Sequence, residues 1–568
     1  MKNNHNDKLS ISVASLRDID SVYSLRHEVY ADELGQYEKN KNKSLIDNEQ
    51  VKSTYILAHQ NKKLVGFVGV TSPDSPKFSF EASLPKTELS FGLDNTFEIR
   101  ALTVMQSSRG EKIANFLMYS AFRWIQSRGG KRIISMGRID VLDIYLKLGM
   151  KRYDKNFQVG EVAYELIGAK VSDISSHITS IDSQIKKMET RVDWKMNFSF
   201  YQPSECYHGG AFFDAIGDRF DDLSRIRTVI NADVLDAWYD PAPEVQKMIT
   251  NELPWTIKTS PPTRAEGLIK VIAEKRNVSN NSILPGAGSS DLIFLAFCHW
   301  LKPASKVLIL DPTYGEYSHI FEKIIKCRVE RFELKREEGY KINLDSLAIK
   351  LEQKFDLFIW VNPNSPTGLH VQREDVENIL KKQSGCKRIW IDETYIEYVG
   401  KGQSLESFAA RSSNTIVCKS MSKVYALSGL RSAYLCASPH QLEDLKVLTP
   451  PWSISLPAQI AATYALQSNS YYFEKYQETH DLREGLVAKL KDIGIDEIIP
   501  GVANFIMFHL PPDFKSVSSI ISKCRKKKLF LRDASGMGTS IGKNAMRMAV
   551  KDGVTNKRMI EIFKAAVN

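Results

Sequence analysis

Polar residues with distinct chemistry follow apolar strand patterns in the C-terminal two-thirds of this 568-residue chain. Lys423 comes just after TIVCKS, Asp392 ends RIWID, and Tyr314 follows KVLILDPT. A lysine amine can bond to a carbonyl cofactor, and a buried carboxylate beside a pyridine nitrogen keeps that nitrogen protonated. An aromatic side chain can stack on the same ring. These residues predict a pyridoxal phosphate (PLP) site in which Lys423 bears the cofactor.

The phosphate of such a cofactor needs hydroxyl groups, a cation and free backbone N–H groups. Ser420, Ser422 and Arg431 supply the hydroxyls and the cation close to the predicted lysine. Ser289 and Ser290 begin a predicted helix after a glycine, where free N–H groups and the helix dipole favour an anion. We therefore expect these five residues to bind the cofactor phosphate.

Five motifs, DPTYGEY, NPNSPTG, IDETYIEY, SMSKVYALSGLR and MRMAV, follow one another along this region. The region resembles the fold-type I aminotransferases and is similar to histidinol-phosphate aminotransferase and threonine-phosphate decarboxylase. The resemblance implies that Lys423 bears PLP, Asp392 pairs with the pyridine nitrogen and Tyr395 hydrogen-bonds the ring oxygen. It also implies that Arg431 binds the cofactor phosphate and that Arg547 binds the substrate α-carboxylate through two parallel hydrogen bonds.

Three departures from the family pattern indicate an altered substrate pocket. Asn364 and Ser365 precede PTG, where the family has asparagine directly before PTG; we expect Asn364 to contact the ring oxygen, with Ser365 as the alternative. KTSPPT at 258–263 lacks the tyrosine that reaches the partner subunit in this family. DAWYDPAP replaces an asparagine-rich segment, and His208, in a His-Gly-Gly run, is a candidate substrate contact.

A second anion site is predicted where VMQSSRGEKIA runs from a strand into a helix. The segment resembles the GNAT acyltransferase superfamily, whose loop reads R-x-x-G-x-G/A. Arg109, Gly110 and Ala114 match that loop, and the resemblance implies that they hold acyl-CoA. Lys112 stands at the first glycine position, where it either crowds the backbone cradle or offers its charge to the phosphates.

The same resemblance implies two further catalytic residues. YLKLGM places Tyr145 where the superfamily's proton donor for the departing thiolate stands. Glu98 is a candidate base, and a structural ion pair with Arg100 is the alternative. LRHEVYADELGQYE and FEIRALTV also resemble acyl-homoserine lactone and related N-acyl amino acid synthases, which implies an acyl-carrier protein as the alternative donor and partner.

Alternating strand and helix patterns predict an α/β fold throughout. We expect a GNAT-like mixed-sheet domain over 1–168 and an aminotransferase over 196–568. The resemblance divides the latter into a doubly wound large domain, about 255–440, and a small α/β domain from 196–254 and 441–568. Apolar residues spaced three and four apart predict an amphipathic helical connector over 169–195.

Composition argues against several other classes. The seven cysteines are scattered and never form CxxC, so neither disulfides nor a metal site is predicted. The net charge of +10 favours anionic ligands, and no basic stripe with interleaved aromatics indicates nucleic acid. No apolar run reaches the roughly 18 residues of a membrane span, and the polar start lacks a signal peptide's apolar stretch, so we expect a cytoplasmic enzyme without a membrane partner.

We expect the PLP part to transaminate an amino acid or a phosphorylated amino compound and to release a keto compound. Decarboxylation to an amine is the alternative within the same fold. The GNAT part is expected to acylate an amine, with a non-catalytic ligand-binding or scaffold role as the alternative. A linking hypothesis is that one part makes or consumes an amine that the other acylates. Resemblance to a family whose subunits share active sites also implies a homodimer.

Overall fold

The computed structural model describes the chain apart from residues 1–8, 49, 86–88, 90–92, 94, 111, 148, 181–188, 197–208, 218, 383–384 and 568. The chain divides into two units, residues 1–205 and 206–568, and the α/β fold predicted for both parts is confirmed. His208, the predicted substrate contact, falls outside the described residues. No helix in the described part of the chain is long and apolar enough to cross a membrane.

The first unit is built on an eight-stranded sheet. Its strands are β1 (Leu9–Val13), β2 (Ser53–Gln60), β3 (Lys63–Thr71), β4 (Thr96–Val104), β5 (Arg132–Arg138), β6 (Lys151–Val159), β7 (Val162–Lys170) and β8 (Val192–Lys195). Its helices are α1 (Ile19–His27), α2 (Ile113–Gln126), α3 (Leu142–Leu146) and α4 (Val171–Ser180). The strand order is β6-β7-β5-β4-β3-β2-β1-β8.

Strands β4 and β5 are parallel neighbours inside this sheet, and they pair along only part of their length. The register runs from Thr96 opposite Arg132 to Ile99 opposite Ser135. Beyond that point Ala101 has a φ of 50°, and the pairing of β4 with β3 shifts register. The irregular backbone separates the later parts of β4 and β5, next to the N-terminus of α2.

The segment predicted as a helical connector, 169–195, differs from that expectation. Its first residues end β7, α4 covers Val171–Ser180, and its last residues form β8, which pairs in parallel with β1. Val171 and Ile174 are buried in the core of the first unit. The apolar spacing of the described helix therefore reflects docking of α4 on its own sheet.

The second unit contains three sheets among its described residues. Its strands are β9 (Ile230–Asn231), β10 (Ile283–Gly286), β11 (Lys306–Asp311), β12 (Arg328–Glu333), β13 (Leu357–Val361), β14 (Ile389–Asp392), β15 (Thr415–Ser420), β16 (Ala433–Cys436), β17 (Ile498–Ile499), β18 (Phe505–His509), β19 (Leu529–Phe530), β20 (Arg532–Asp533) and β21 (Ala545–Ala549). The sheet orders are β10-β16-β15-β14-β13-β11-β12, β17-β18-β21-β20 and β19-β9.

Fourteen described helices cover these sheets: α5 (Phe213–Ile216), α6 (Pro243–Asn251), α7 (Leu253–Lys258), α8 (Glu266–Arg276), α9 (Ser289–Trp300), α10 (Gly315–His319), α11 (Leu344–Leu351), α12 (Arg373–Lys382), α13 (Glu406–Ala409), α14 (Pro439–Leu448), α15 (Leu456–Gln467), α16 (Asn469–Lys491), α17 (Val517–Lys526) and α18 (Gly553–Val567). Strand β9 pairs with β19, so the beginning and end of this unit share a sheet, as the proposed small domain requires.

The seven-stranded sheet explains where the polar motif residues lie. Strands β11 to β15 are parallel, and every residue of β13 is buried, because helices cover both faces of such a sheet. Asp311, Asp392 and Ser420 end three of these strands. Since the carboxyl ends of parallel strands meet along one edge, these residues line the edge at which α/β proteins bind ligands.

Candidate active sites

Lys423 lies in the turn that follows β15, at the carboxyl edge of the seven-stranded sheet. Its Nζ donates a hydrogen bond to Oδ1 of Asp236 at 2.9 Å, and Tyr398 donates its hydroxyl hydrogen to the Lys423 backbone oxygen at 3.3 Å. The lysine side chain is 20% exposed. Lys423 is therefore held in one place and remains reachable by a cofactor aldehyde.

Asp392 is buried at the end of β14, where three donors hold its carboxyl group. Thr394 donates from its backbone N and its Oγ1 to Oδ1 at 3.0 and 2.6 Å, and Tyr317 donates its hydroxyl hydrogen to Oδ2 at 2.7 Å. Burial raises the pKa of Asp392 and outweighs these hydrogen bonds, which lower it. Such a fixed, buried acid is suited to share a proton with a pyridine nitrogen.

An anion cradle forms where the N-terminus of α9 meets Arg431. Gly288 precedes α9 with a φ of 95°, and a Cβ atom there would lie 2.5 Å from Nη2 of Arg431. Only glycine allows the guanidinium to approach this closely. The free N–H groups at Ser289 and Ser290 thus adjoin a cation, which is the donor set that a phosphate requires.

Serine hydroxyls next to the turn that contains Lys423 also lie near the Arg431 guanidinium. Nη1 of Arg431 lies 3.5 Å from Oγ of Ser422 and donates to the backbone oxygen of Ser428 at 3.2 Å. Oγ of Ser420 accepts a hydrogen bond from the backbone N of Ser422 at 3.3 Å. With the helix N-terminus, these groups fit the phosphate of PLP, and Lys423 and Asp392 fit its aldehyde and its ring nitrogen.

Two tyrosines predicted to contact the cofactor ring lie at the same edge. Tyr314 is half-buried, donates its hydroxyl hydrogen to Oε2 of Glu316 at 2.8 Å and packs edge-on against Tyr317 at 5.8 Å. Tyr395 is buried against Phe505 with ring centroids 5.3 Å apart. Burial raises the pKa of Tyr395, so its hydroxyl stays protonated and can donate a hydrogen bond.

Asn364 contacts the loop after β11, and its contact with the ring oxygen stays a prediction. Its Nδ2 donates to the Pro312 backbone oxygen at 3.0 Å, and its Oδ1 accepts from Oγ1 of Thr313 at 3.2 Å. Both ends of the amide are therefore engaged in holding the loop. Oγ of Ser365 instead accepts a hydrogen bond from Nη1 of Arg547 at 3.2 Å, which favours the alternative residue as the one facing substrate and cofactor.

Arg547 is buried in β21 and retains donor capacity. Its Nη2 donates to the Asp233 backbone oxygen at 3.3 Å, its guanidinium lies 5.5 Å from the Phe505 ring centroid, and its Nε has no hydrogen-bond partner among the described residues. Burial, together with the charge of Arg532, lowers the pKa of Arg547 to about 10. A buried cation with an unmatched donor is suited to bind a carboxylate.

Several residues of this site were not predicted from the motifs. Tyr317 holds Asp392, and Asp236 holds Lys423. Lys551 donates to the Asp236 backbone oxygen at 3.4 Å, and Arg532 Nε lies 2.7 Å from Oδ1 of Asp233. The available signal was positional: Tyr317 belongs to DPTYGEY, and Asp236 belongs to the segment that departs from the family pattern.

The first unit encloses a cavity of about 760 Å³ between β4, β5 and the start of α2. The predicted donor-binding residues Arg109, Gly110 and Ala114 line it, as does Lys112. Gly110 has a φ of 98°, and Lys112 has a φ of 62° at the N-cap of α2. Lys112 thus has a left-handed backbone that residues other than glycine rarely adopt, at a cost of about 1–3 kcal/mol.

The side chains around this cavity include the predicted proton donor. Tyr145 is buried in the cavity wall, and burial raises its pKa, so its hydroxyl carries a proton at neutral pH. Arg109 forms an ion pair with Glu33 and donates from Nε to the Val104 backbone oxygen at 3.2 Å. Arg109 therefore stabilises the loop that leads from its own position to α2.

Glu98 is not among the residues that line the cavity, contrary to a role as the base. Its carboxylate accepts hydrogen bonds from Ser79 N at 2.8 Å, Ser79 Oγ at 2.5 Å and Phe80 N at 3.3 Å. Burial raises its pKa. The geometry gives Glu98 a structural role in the turn at 79–82, while Arg100 pairs with Asp47 at 3.0 Å.

Comparison with known proteins gives two family matches. Residues 233–565 match the family model described as Aminotransferase class I and II, and residues 17–150 match that of the Acetyltransferase (GNAT) family. Both resemblances drawn from the motifs are thereby confirmed. The histidinol-phosphate aminotransferase of Pelagibacter ubique (strain HTCC1062) is 26% identical over 354 residues, which is 61% of this chain and 94% of that protein.

Solved structures share the fold of the second unit. The histidinol-phosphate aminotransferase from Clostridium acetobutylicum aligns with a TM-score of 0.54 at 23% identity, over 59% of this chain and 98% of that chain. A decarboxylase from Sulfurospirillum multivorans aligns with a TM-score of 0.52 at 22% identity, over 60% of this chain and 96% of that chain. Since one fold carries both printed names, the fold does not choose between the two reactions.

Proposed function

Because this chain belongs to the aminotransferase class I and II family, we propose that its second unit binds PLP at Lys423 and transaminates an amino acid or a phosphorylated amino compound. The observation that carries the proposal is the placement of Lys423, Asp392 and the Arg431 cradle along one sheet edge. PLP, when bound, supplies an electron sink for the substrate's Cα. The residues around it bind, orient and move protons.

Each residue has a task that its contacts allow. Arg547 binds the substrate carboxylate through a buried guanidinium, which fixes the orientation of the bonds at Cα. Asp392 holds a proton shared with the ring nitrogen. With PLP and substrate bound, Lys423 Nζ would be the group that takes the proton from the substrate's Cα and gives a proton back. Transamination would leave a keto compound as the product.

The test is a purified full-length chain loaded with PLP and screened with amino donors and a keto acceptor. Transamination predicts a keto product from the donor, an amino product from the acceptor and loss of both in Lys423→Ala. Lys401→Ala, at an exposed lysine of the same unit, is the matched control. Release of carbon dioxide and an amine would replace transamination with decarboxylation, and failure to bind PLP would contradict both reactions.

We further propose that the first unit, a GNAT-family domain, transfers an acyl group from acyl-CoA or an acyl-carrier protein to an amine. The cavity supports this proposal, because Arg109, Gly110 and Ala114 in its wall can hold an anionic donor and Tyr145 can protonate the departing thiolate. Arg26 and Arg100 also line it and share the single carboxylate of Asp47. Their surplus positive charge suits an acceptor that carries a carboxylate.

Incubation with an acyl thioester and a panel of amines tests this second activity. Free thiol and an N-acyl product are expected, and binding of the thioester without turnover would assign the domain a ligand-binding or scaffold role. The linking hypothesis adds that an amine made or consumed by the second unit is acylated by the first. A chain that acylates none of the amino compounds that its second unit handles would contradict this link.

Homodimerisation stays a prediction, and sedimentation of the PLP-loaded chain tests it. Segment 258–263 contains no tyrosine that could contact the cofactor phosphate of a partner subunit. A monomer with full transaminase activity would show that the site is complete within one chain. A location in the cytoplasm is likewise still a prediction, which cell fractionation tests.

A further inference from the structure

A buried ion pair lies beside Arg547, the residue proposed to bind the substrate carboxylate. Arg547 in β21 and Arg532 in β20 are directly opposite each other in an antiparallel strand pair, so their side chains leave the sheet on the same face. Arg532 Nε lies 2.7 Å from Oδ1 of Asp233, whose backbone oxygen accepts a hydrogen bond from Arg547 Nη2 at 3.3 Å. All three residues are at most 7% exposed. Asp233 therefore contacts both arginines, one through its side chain and one through its backbone.

The same pair is approached by Gly209, which belongs to the His-Gly-Gly run whose histidine is a predicted substrate contact. Gly209 has a φ of 93°, and a Cβ atom there would lie 3.1 Å from Oδ2 of Asp233 and 3.2 Å from Nη2 of Arg532. Glycine thus allows an uncharged backbone to approach both charged groups closely. The ion pair therefore adjoins Arg547 and the segment that was expected to contact substrate.

The charges of these groups do not cancel. Two guanidinium groups and one carboxylate leave a single positive charge on the three side chains. Burial and the charge of Arg532 lower the pKa of Arg547, whereas the charge of Asp233 raises it, so both charges act on the carboxylate-binding group. Arg532 is paired with Asp233, while Arg547 keeps its unmatched Nε donor. The surplus charge therefore suits one carboxylate and no second anionic group.

We propose that Asp233 is a specificity-determining residue that restricts the second unit to amino acids whose side chain carries no negative charge. The α-carboxylate of such a donor binds Arg547. A side-chain carboxylate or phosphate would meet Arg532 already paired and the Asp233 carboxylate next to it, so the anion would lose hydration and gain repulsion. The inference rests on the proposed function and, of its two donor classes, selects the amino acids over the phosphorylated compounds.

Donors that differ in the charge of the side chain test the proposal on the unmodified, PLP-loaded chain. Glutamine and glutamate, like asparagine and aspartate, have similar size and differ by one negative charge, and O-phosphothreonine adds a phosphate to threonine. We expect kcat/KM to be at least about tenfold higher for the uncharged member of each pair. Equal values, or a preference for the anionic members, would overturn the proposal.

Two variants assign this preference to the ion pair. Asp233→Asn leaves the charge of Arg532 uncompensated, so the preference for glutamine over glutamate should fall by about tenfold or more. Adding Arg532→Gln to the same chain should restore the preference, because the cation available to glutamate is gone. An unchanged preference in Asp233→Asn, or a lowered preference that Arg532→Gln does not restore, would contradict the role of Asp233.

Asp240→Asn is the matched control, since it removes an exposed carboxylate from the same segment, and it should keep the wild-type preference. A fall in preference equal to that of Asp233→Asn would assign the effect to overall charge and would also contradict the proposal. Thermal unfolding identifies any variant that does not fold, and in that case the donor series on the unmodified chain decides.

Binding of unreactive carboxylates separates this inference from the proposed function. Glutarate and its monoamide carry no amine, so calorimetry with the full-length chain and PLP compares a dianion with a monoanion without turnover. If the monoamide binds at least about tenfold more tightly while no donor transfers its amine, the function fails and the specificity stands. If amino transfer proceeds while the two affinities are equal, including no measurable binding of either, the specificity fails and the function stands.

Discussion

Tyr317 donates its hydroxyl hydrogen to Oδ2 of Asp392 at 2.7 Å in the interior of the second unit. Both side chains are buried, and Nε1 of Trp390 donates to the same tyrosine oxygen at 3.0 Å. Burial raises the pKa of Tyr317, so it acts as a donor throughout the physiological range. The acid proposed to pair with the ring nitrogen is thus held in place by a buried tyrosine.

Tyr317→Phe should weaken PLP binding by about tenfold, because it removes one of the three hydrogen bonds to the buried acid, worth about 1–2 kcal/mol. A spectroscopic titration of the cofactor-free protein with PLP measures the affinity. Tyr464→Phe, which removes a half-buried hydroxyl from α15, is the control and should bind PLP as the wild type does. Unchanged affinity in Tyr317→Phe would show that the Thr394 donors suffice to hold Asp392.

Gly288→Ala tests the phosphate cradle by sterics alone. The added Cβ would lie 2.5 Å from Nη2 of Arg431, in a backbone conformation that L-residues rarely adopt, so the guanidinium must move. We expect PLP affinity to fall at least tenfold, since a displaced charge-assisted contact costs about 1.5–3 kcal/mol. Gly267→Ala, where an added Cβ meets no neighbour within 4 Å, should have no effect. Equal PLP affinity in both variants would place the phosphate elsewhere.

The positions of Lys423, Asp392 and Arg431 could be predicted because each belongs to a motif at or just after a strand of the parallel sheet. The motifs left Asn364 and Ser365 as alternatives for the ring-oxygen contact, and the sequence was insufficient to decide between them, because the conformation of the turn sets which of two adjacent side chains faces inward. The partners Asp236 and Lys551 lie far along the chain from Lys423. Their meeting depends on tertiary packing, which no local pattern encodes.

In the first unit, too, the sequence does not determine which side chains face the candidate site. FEIRALTV forms most of β4, but alternation along a strand does not reveal which face borders a cavity. The φ of 50° at Ala101 changes that alternation part-way along the strand. Glu98 and Arg100 both precede that irregularity, and they differ in their contacts: Glu98 accepts hydrogen bonds from the turn at 79–82, while Arg100 lines the cavity.

The buried cluster next to Asp392 should make stability depend on pH. Glu393 lies 3.5 Å from Lys419, and burial together with the charge of Glu406 raises the pKa of Glu393 to about 7. Its ordinary value is 4.5, so the folded chain retains a proton that the unfolded chain has released. This contribution is fully present below about pH 4.5 and is lost as the pH rises through about 7.

Glu393→Gln should therefore flatten the decline in unfolding free energy between those two pH values, because its side chain stays neutral. Chemical denaturation of both proteins across the pH series measures the difference, which should be on the order of a few kcal/mol. Glu374→Gln, at an exposed carboxylate, should follow the wild-type curve. Parallel curves for Glu393→Gln and the wild type would assign the pH dependence to other groups.

Arg547→Lys should raise the KM for amino acid donors about tenfold or more with a smaller change in kcat. Lysine keeps the charge but lacks the planar pair of donors that matches a carboxylate. Donors without a carboxylate should show nearly equal KM values in the two proteins, and that comparison is the internal control. A uniform rise across both donor classes would mean that Arg547 supports the pocket, through Ser365 and Asp233, without binding the carboxylate itself.

Tyr145→Phe should reduce acyl transfer by the first unit about 100-fold, the typical contribution of a general acid, and leave thioester binding unchanged. The reason is that Tyr145 lines the cavity and remains protonated through burial, so it can neutralise the departing thiolate. Tyr23→Phe changes a half-buried tyrosine that packs on Tyr55 and does not line the cavity, and it should retain full activity. Thiol release measures turnover, and calorimetry with a non-reactive thioester analogue measures binding. Full turnover in Tyr145→Phe would require another proton donor, and the cavity wall offers Tyr30 and Tyr164 as the next candidates.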